Sequence, residues 1–297
     1  ADRGHQRERR HAVTWAGDWL EGEPTEDNES DEKPSAPVDD TAPPLVPGSE
    51  AEAPVDEVPE PEDALIPLAP PSAVLIAGVA GGVGATTTAV GLASALHTEL
   101  VTAAAVDTTP AGGDLSERGC GRELNPGQWV SEHGVLWGRR TLGELSGDAA
   151  ALASVHSLLT ASGHFPIYDA GNPLRAQHLA PLLADASVVI VLVVSSRGDS
   201  VNRLPSVLEW IESTLGAHTL ASVVVAVVEI RPGSTPVADH LSAHMAGRIG
   251  AVRLIGHDRS LAAGGPIVTS AMGSGVEQDF TALAADVRNL GAAAPTQ

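Results

Sequence analysis

The chain has 297 residues, 43% of them apolar, a single cysteine and a formal net charge of −21. Such a length carries one large or two ordinary domains with a sizeable core, which excludes a small stapled scaffold. One thiol excludes an internal disulfide or a Cys-rich metal cage within the chain, as in a reducing cytoplasm, and the acidic balance disfavours sequence-independent nucleic-acid binding, which needs a basic face.

The acid is concentrated early. Residues 1–70 hold 19 Asp/Glu against 5 Lys/Arg, and 11 of the 22 prolines. From Glu21 to Asp63 the only basic residue is Lys33. This segment lacks the apolar content to fold alone and reads as a disordered acidic, Pro-rich tail. Within it, residues 7–20 combine Arg9 and Arg10 with Trp15, Trp19 and Leu20. The spacing of the tryptophans by four puts both on one face of a short helix that folds on a protein partner; a solvated tail with incidental tryptophans is the competing reading. Arg3, Arg7, Arg9 and Arg10 are not followed by a continuous apolar stretch, so no export signal is expected. The longest apolar runs, Val188 to Val194 and Val223 to Val228, fall far short of the roughly 20 residues that span a bilayer. A cytoplasmic location without a transmembrane segment is expected, with recruitment to a membrane-associated complex left open.

From Ala73 onward, short Val/Ile/Leu/Ala runs alternate with helical stretches, the pattern of a mostly parallel, doubly wound α/β sheet covered on both faces. Strands are expected at Ala73–Val79, Val101–Asp107, Phe165–Asp169, Ser187–Val194, Ser222–Glu229 and Val252–Ile255, and helices at Thr86–Leu96, Asp199–Thr214, Val237–Ile249 and Gly275–Leu290. One domain over residues 73–290 accounts for all of them, followed by a flexible C-terminus at 291–297. Between the second strand and the next helix, Cys120 to Leu145 reads as an insertion packed onto the domain by Trp129 and Trp137, with a partner surface formed by the same tryptophans as the competing reading.

The first strand runs into Ala80-Gly81-Gly82-Val83-Gly84-Ala85-Thr86-Thr87-Thr88 and then a helix-forming stretch. Strand, glycine-rich loop and helix start form the geometry that cradles a phosphate, because glycines permit close approach and helix N-terminal amides point at the anion. In the usual P-loop a lysine neutralises the β/γ-phosphates and the next hydroxyl holds magnesium. Here Gly84, Ala85 and Thr86 occupy those positions, and Lys33 is the only lysine in the chain.

This segment resembles the deviant P-loop of the MinD/ParA ATPases, Lys-Gly-Gly-x-Gly-Lys-[Ser/Thr]-Thr. Aligned on Gly81, Gly82 and Gly84, the family's signature lysine falls at Ala80 and its phosphate-binding lysine at Ala85, so the Walker A motif is degenerate. The family's next element, Asp-x-Asp-Pro-x-Gly, is similar to Asp107-Thr108-Thr109-Pro110-Ala111-Gly112. The aspartate that the resemblance implies to orient water becomes Thr109, leaving Asp107, or Asp114 if the loop runs differently, as the catalytic candidate. A third element resembles Tyr168-Asp169-Ala170-Gly171, with Asp169 at the magnesium-linked position, and His257 to Val268 resembles the loop and helix that close the nucleotide base site. Gly112-Gly113-Asp114-Leu115 is similar to the CpaE/TadZ and septum-site-determining-like branch of actinobacteria, associated with pilus assembly, secretion or septum placement.

The resemblance implies a site for ATP or ADP with magnesium: Gly81, Gly82, Val83, Gly84, Ala85, Thr86 and Thr87 around phosphate, and Thr86 and Asp169 around the metal. Arg197, and alternatively Arg175, stand at the carboxyl edge of the sheet as replacements for the lost lysine, since guanidinium also binds phosphate. Hydrolysis relies on positioned cations, so a pseudo-ATPase adaptor or regulator in a secretion, pilus or division machine is expected, and a pure scaffold that needs no cofactor stands beside it. The competing expectations are an active ATPase with arginine in place of lysine, or a ParA-type partition protein. Family members sandwich nucleotide between two subunits; with Ala80 in place of the lysine, a nucleotide-independent homodimer or a monomer docked on a protein partner is expected. Nucleic acid is not an expected partner. His240 and His244 have zinc-like spacing without a third ligand, Cys120 lacks an activating set, and the last helix holds only Arg288 as a base, unlike the basic anchor of MinD.

Overall fold

The computed structural model describes residues 70–97, 101–109, 112–139, 149–233 and 236–290. The expectations for the tail before Pro70, for the segment 7–20 and for 291–297 lie outside the described residues. In chain order the elements are β1 (Ala73–Gly78), α1 (Ala85–Leu96), β2 (Thr102–Asp107), α2 (Leu115–Cys120), β3 (Trp129–Glu132), β4 (Val135–Arg139), α3 (Ala149–Ala161), β5 (His164–Asp169), α4 (Ala180–Leu183), β6 (Val188–Ser195), α5 (Gly198–Val201), α6 (Leu204–Leu215), β7 (Val223–Val228), α7 (Pro236–Met245), β8 (Ala251–Ile255), α8 (Arg259–Ala262) and α9 (Ser274–Asn289).

The strands form one eight-stranded sheet in the order β3-β4-β2-β5-β1-β6-β7-β8. Every pairing is parallel except β3 with β4. The central strands β1 and β6 are buried at every position, which is why they read as unbroken apolar runs rather than alternating ones. Val74, Ile76, Ala103 and Ala105 face a core completed by Leu92, Phe280 and Val287 from α1 and α9. Their neighbours Leu75, Ala77 and Tyr168 are equally buried, so both faces of the sheet are covered. Gly91 in α1 lets α9 approach: a Cβ there would lie 2.3 Å from the Phe280 ring.

The six expected strands are present with ends shifted by a residue or two. The structure corrects the reading at four places. The 120–145 stretch holds the hairpin β3–β4, which adds a parallel strand beside β2 and an antiparallel edge. Short Gly-containing runs such as Val135-Leu136-Trp137-Gly138-Arg139 carry a weak strand signal; here Gly138 is needed, because a Cβ would lie 2.2 Å from the Trp129 ring. The single helix expected at Asp199–Thr214 is two, α5 and α6, because Pro205 in the first turn of α6 cannot donate to a preceding turn. The helix expected at Val237–Ile249 ends at Met245. The short α2 and α4 and the Ala/Ser-rich α3 carry no sequence signal, since four to six residues hold too little periodicity to register and α3 has no contrast between its faces, whereas α8 falls in the loop and helix expected at His257 to Val268.

Candidate functional site

The centre of the sheet sets the site. Leaving β1, Gly78 donates its amide to the Gly171 carbonyl at 2.7 Å and Val79 donates to the Val193 carbonyl at 3.0 Å. Both flanking strands therefore pin the start of the glycine-rich loop. Val83 turns inward and is buried, anchoring the loop from below. Gly82 and Gly84 have φ of 74° and 100°, a left-handed conformation that side chains resist. Gly84 is also the N-cap of α1, and that end has no side-chain cap and no acidic residue in its first turn. The first amides of α1 thus have no acceptor supplied by their own sequence, which leaves the positive end of the helix to an external anion.

Residues Ala80 to Thr87 form one wall of an open cavity of about 420 Å³ at the carboxyl ends of the strands, where open α/β sheets place their ligands. The opposite walls come from Asp114 and Arg118 of the α2 region, Gly171 and Asn172 after β5, Val228 to Ile230 after β7, and Gly256, His257, Asp258, Leu261 and Ala262. The sequence-expected phosphate residues Gly81 to Thr87 and the 257–268 loop are thus brought together. Asp258 caps α8, accepting from the Ser260 amide at 2.7 Å and the Gly273 amide at 2.8 Å; bonds from the Ser260 hydroxyl and from Gly273 hold its carboxyl down at about 2. Its charge fixes the loop geometry.

Two acids stand behind the phosphate loop at the ends of β2 and β5. Asp169 is fully buried; its Oδ1 accepts the Gly171 amide at 3.0 Å, and its Oδ2 has no hydrogen-bond partner. Burial pushes this carboxyl up to about 6, with the Thr86 hydroxyl and the Gly171 amide acting the other way. An orphaned carboxylate oxygen near the Thr86 hydroxyl, under a phosphate cradle, fits a magnesium ion held by Thr86 and Asp169. Such an ion would neutralise charge on β- and γ-phosphate oxygens. Asp107, the catalytic candidate, is 2% exposed and is occupied by its own loop: it accepts from the Thr109 amide and the Gly113 amide, each at 2.9 Å, and from the Thr109 hydroxyl.

Neither arginine proposed from sequence lines the cavity. Arg197 caps α5 and pairs with Asp199 at 3.1 Å, both side chains about two-thirds exposed. Arg175 donates to the Ser206 carbonyl at 3.1 Å and lies 5.3 Å over the Trp210 ring. Among the described residues, the one Arg or Lys that does line it is Arg118. Sequence reasoning passed over it because it precedes the insertion, in a helix too short to register. The weaker candidates settle simply. The His240 and His244 rings stack at 4.0 Å, and among the described residues no group of three or more His, Cys, Asp or Glu is placed to hold a metal ion. Burial raises the Cys120 thiol, which donates to the Ser116 carbonyl at 3.0 Å. No described helix is long and apolar enough to cross a membrane.

No protein-family model and no curated protein matches the sequence. Solved structures do match. A ParA-family ATPase from Chlorobium tepidum aligns at a TM-score of 0.59 and 14% identity over 72% of this chain and 99% of its own. A McdA variant of Cyanothece, solved as its ATP complex, aligns at 0.56 and 17% over 73% and 96%. The MinC:MinD cell-division complex of Aquifex aeolicus aligns at 0.52 and 16% over 73% and 95%. The chain has the fold of the ParA/MinD P-loop ATPases.

Proposed function

We propose that this protein is a nucleotide-binding adaptor of the ParA/MinD fold that takes ATP or ADP with magnesium and hydrolyses it poorly or not at all. The observation that carries the reading is the cavity itself: a complete amide cradle at Gly81 to Thr87, backed by the orphaned Asp169 carboxylate, with alanine at positions 80 and 85. The cradle and the carboxylate support binding. The two alanines argue against turnover, because phosphoryl transfer draws its acceleration from cations fixed against the developing charge. Asp107 is spent on holding the loop after β2, which leaves the site without a free base from that element.

In this reading nucleotide sets the conformation of the loops around the cavity, and a protein partner in a secretion, pilus or division machine reads that conformation. That McdA was solved with ATP and MinD with MinC supports both halves by likeness of fold. The test is calorimetric titration of the full chain with ATP and with ADP, each with magnesium, beside a phosphate-release assay on the same sample. Micromolar binding without release is the expected result. Sustained release above buffer overturns the pseudo-ATPase part, and absence of binding overturns the nucleotide part. Light scattering with and without ATP is expected to give one unchanged mass; an ATP-dependent dimer contradicts this.

A further inference from the structure

Resting on the nucleotide reading above, we propose that Arg118 supplies the positive charge of the phosphate site that alanine at positions 80 and 85 leaves unfilled, so that the ligand's phosphates lie between α2 and the glycine-rich loop. Three observations converge on it. Arg118 is the only Arg or Lys among the described residues that line the cavity, which Gly81 to Thr87 line as well. Its guanidinium is held by one bond, Nη2 donating to the Leu261 carbonyl at 3.2 Å, and the Arg118 main-chain carbonyl accepts the Ile267 amide at 2.7 Å. Its Nε is buried and has no acceptor in the protein. Leaving a buried charged donor unmatched is costly, and an anion in the cavity that Arg118 lines offsets that cost. Guanidinium suits the task because it stays ionised and presents a planar set of donors to phosphate.

Three other arginines near this edge have partners elsewhere. Arg197 faces Asp199, Arg175 faces Ser206 and Trp210, and Arg139 donates to the Leu124 carbonyl at 3.1 Å. The hairpin β3–β4 then acquires a purpose. The buried ring of Trp137 lies directly under Gly119, where a Cβ would come within 2.1 Å of it. The hairpin seats α2 closely enough against the domain for Arg118 to reach the cavity wall. A charge that the P-loop usually carries itself is here delivered from a neighbouring helix, braced on one side by the hairpin and on the other by the 257–268 loop.

The experiment titrates the full chain with magnesium-ATP and with magnesium tripolyphosphate, which has no base. Arg118→Gln keeps an N–H for the Leu261 carbonyl and removes the charge; Arg118→Lys keeps the charge. Arg122→Ala, which breaks only the exposed pair with Glu132, controls for net charge, and thermal melts confirm folding of all three. Arg118→Gln is expected to weaken both ligands by about 10- to 100-fold, Arg118→Lys to recover most of that loss, and Arg122→Ala to bind like the parent. Arg118→Gln binding both ligands as the parent does overturns the proposal while leaving the nucleotide reading intact. Loss of ATP alone, with tripolyphosphate unaffected, also overturns it, since Arg118 would then only prop the loop on the base side. Failure of the parent to bind either ligand overturns the nucleotide reading and this proposal with it.

Discussion

Asp107 and Asp169 are register partners at the carboxyl ends of β2 and β5, and the protein uses the two carboxylates in opposite ways. Asp107 is saturated by the amides of the loop that follows it; Asp169 keeps one oxygen without a partner. The same side chain at adjacent strand ends thus becomes a structural anchor in one case and a candidate metal ligand in the other. Asp169→Asn is expected to abolish the benefit of magnesium, lowering ATP affinity by about tenfold, the scale of one charge-assisted contact. Titrations in magnesium and in EDTA check this: the variant should give one affinity in both, and a full magnesium effect would remove Asp169 from the metal site.

Asp107→Ala has a different expected outcome. It strands the Thr109 and Gly113 amides and should cost about 2 kcal/mol of stability, read as a lower urea midpoint. A variant as stable as the parent would show that the loop does not depend on this anchor.

At Gly84 the backbone is left-handed, and a Cβ would meet Val228 at 3.3 Å. Gly84→Ala should destabilise the domain by about 1–2 kcal/mol and weaken ATP binding by more than that loss alone predicts, because the α1 amides would be re-aimed. Parallel denaturation and titration separate the two effects, and unchanged ATP affinity would show that the loop tolerates a side chain at its cap.

The α/β class, the six strands of the parallel sheet and the phosphate loop were legible because each rests on a local signal: unbroken Val/Ile runs for strands buried on both faces, and glycines at positions of positive φ. What escaped depended on partners distant in sequence. Trp137 is expected from sequence to pack the insertion, but its seat under Gly119 shows only in the fold, and Arg118 reads as one charge in a short polar stretch until Leu261, 143 residues away, accepts from it. Arg197 is a different case: it stands at the expected sheet edge, but its side chain pairs locally with Asp199 and does not line the cavity.

The packing of α1 on α9 offers a test of the core. Phe280 is buried and closes over Gly91, so Phe280→Ala should cost about 3–5 kcal/mol. Gly91→Ala should also destabilise, since the ring cannot withdraw, and combining it with Phe280→Leu should recover part of the loss by removing the clash. Additive losses in the double variant would show that the two positions do not share one contact.

His156 gives the stability a defined pH dependence. Its ring is half-enclosed between Tyr168, whose hydroxyl lies 3.2 Å from Nδ1, and Asp185, 3.9 Å from Nε2. Burial pushes its pKa below the ordinary 6.5, and Asp185 only partly offsets this. The folded state therefore binds a proton less readily than the unfolded chain. Between the lowered value and 6.5 the unfolded chain carries more protons, so stability is complete above 6.5 and declines as the pH falls through that window. Asp169, pushed up to about 6, contributes with the opposite sign over the same range, so the readout is a difference: between pH 7.5 and pH 5.5 the urea midpoint should change less favourably in the parent than in His156→Gln, which keeps a donor for Tyr168 and cannot titrate. An identical change in both proteins would assign the acid sensitivity to other groups.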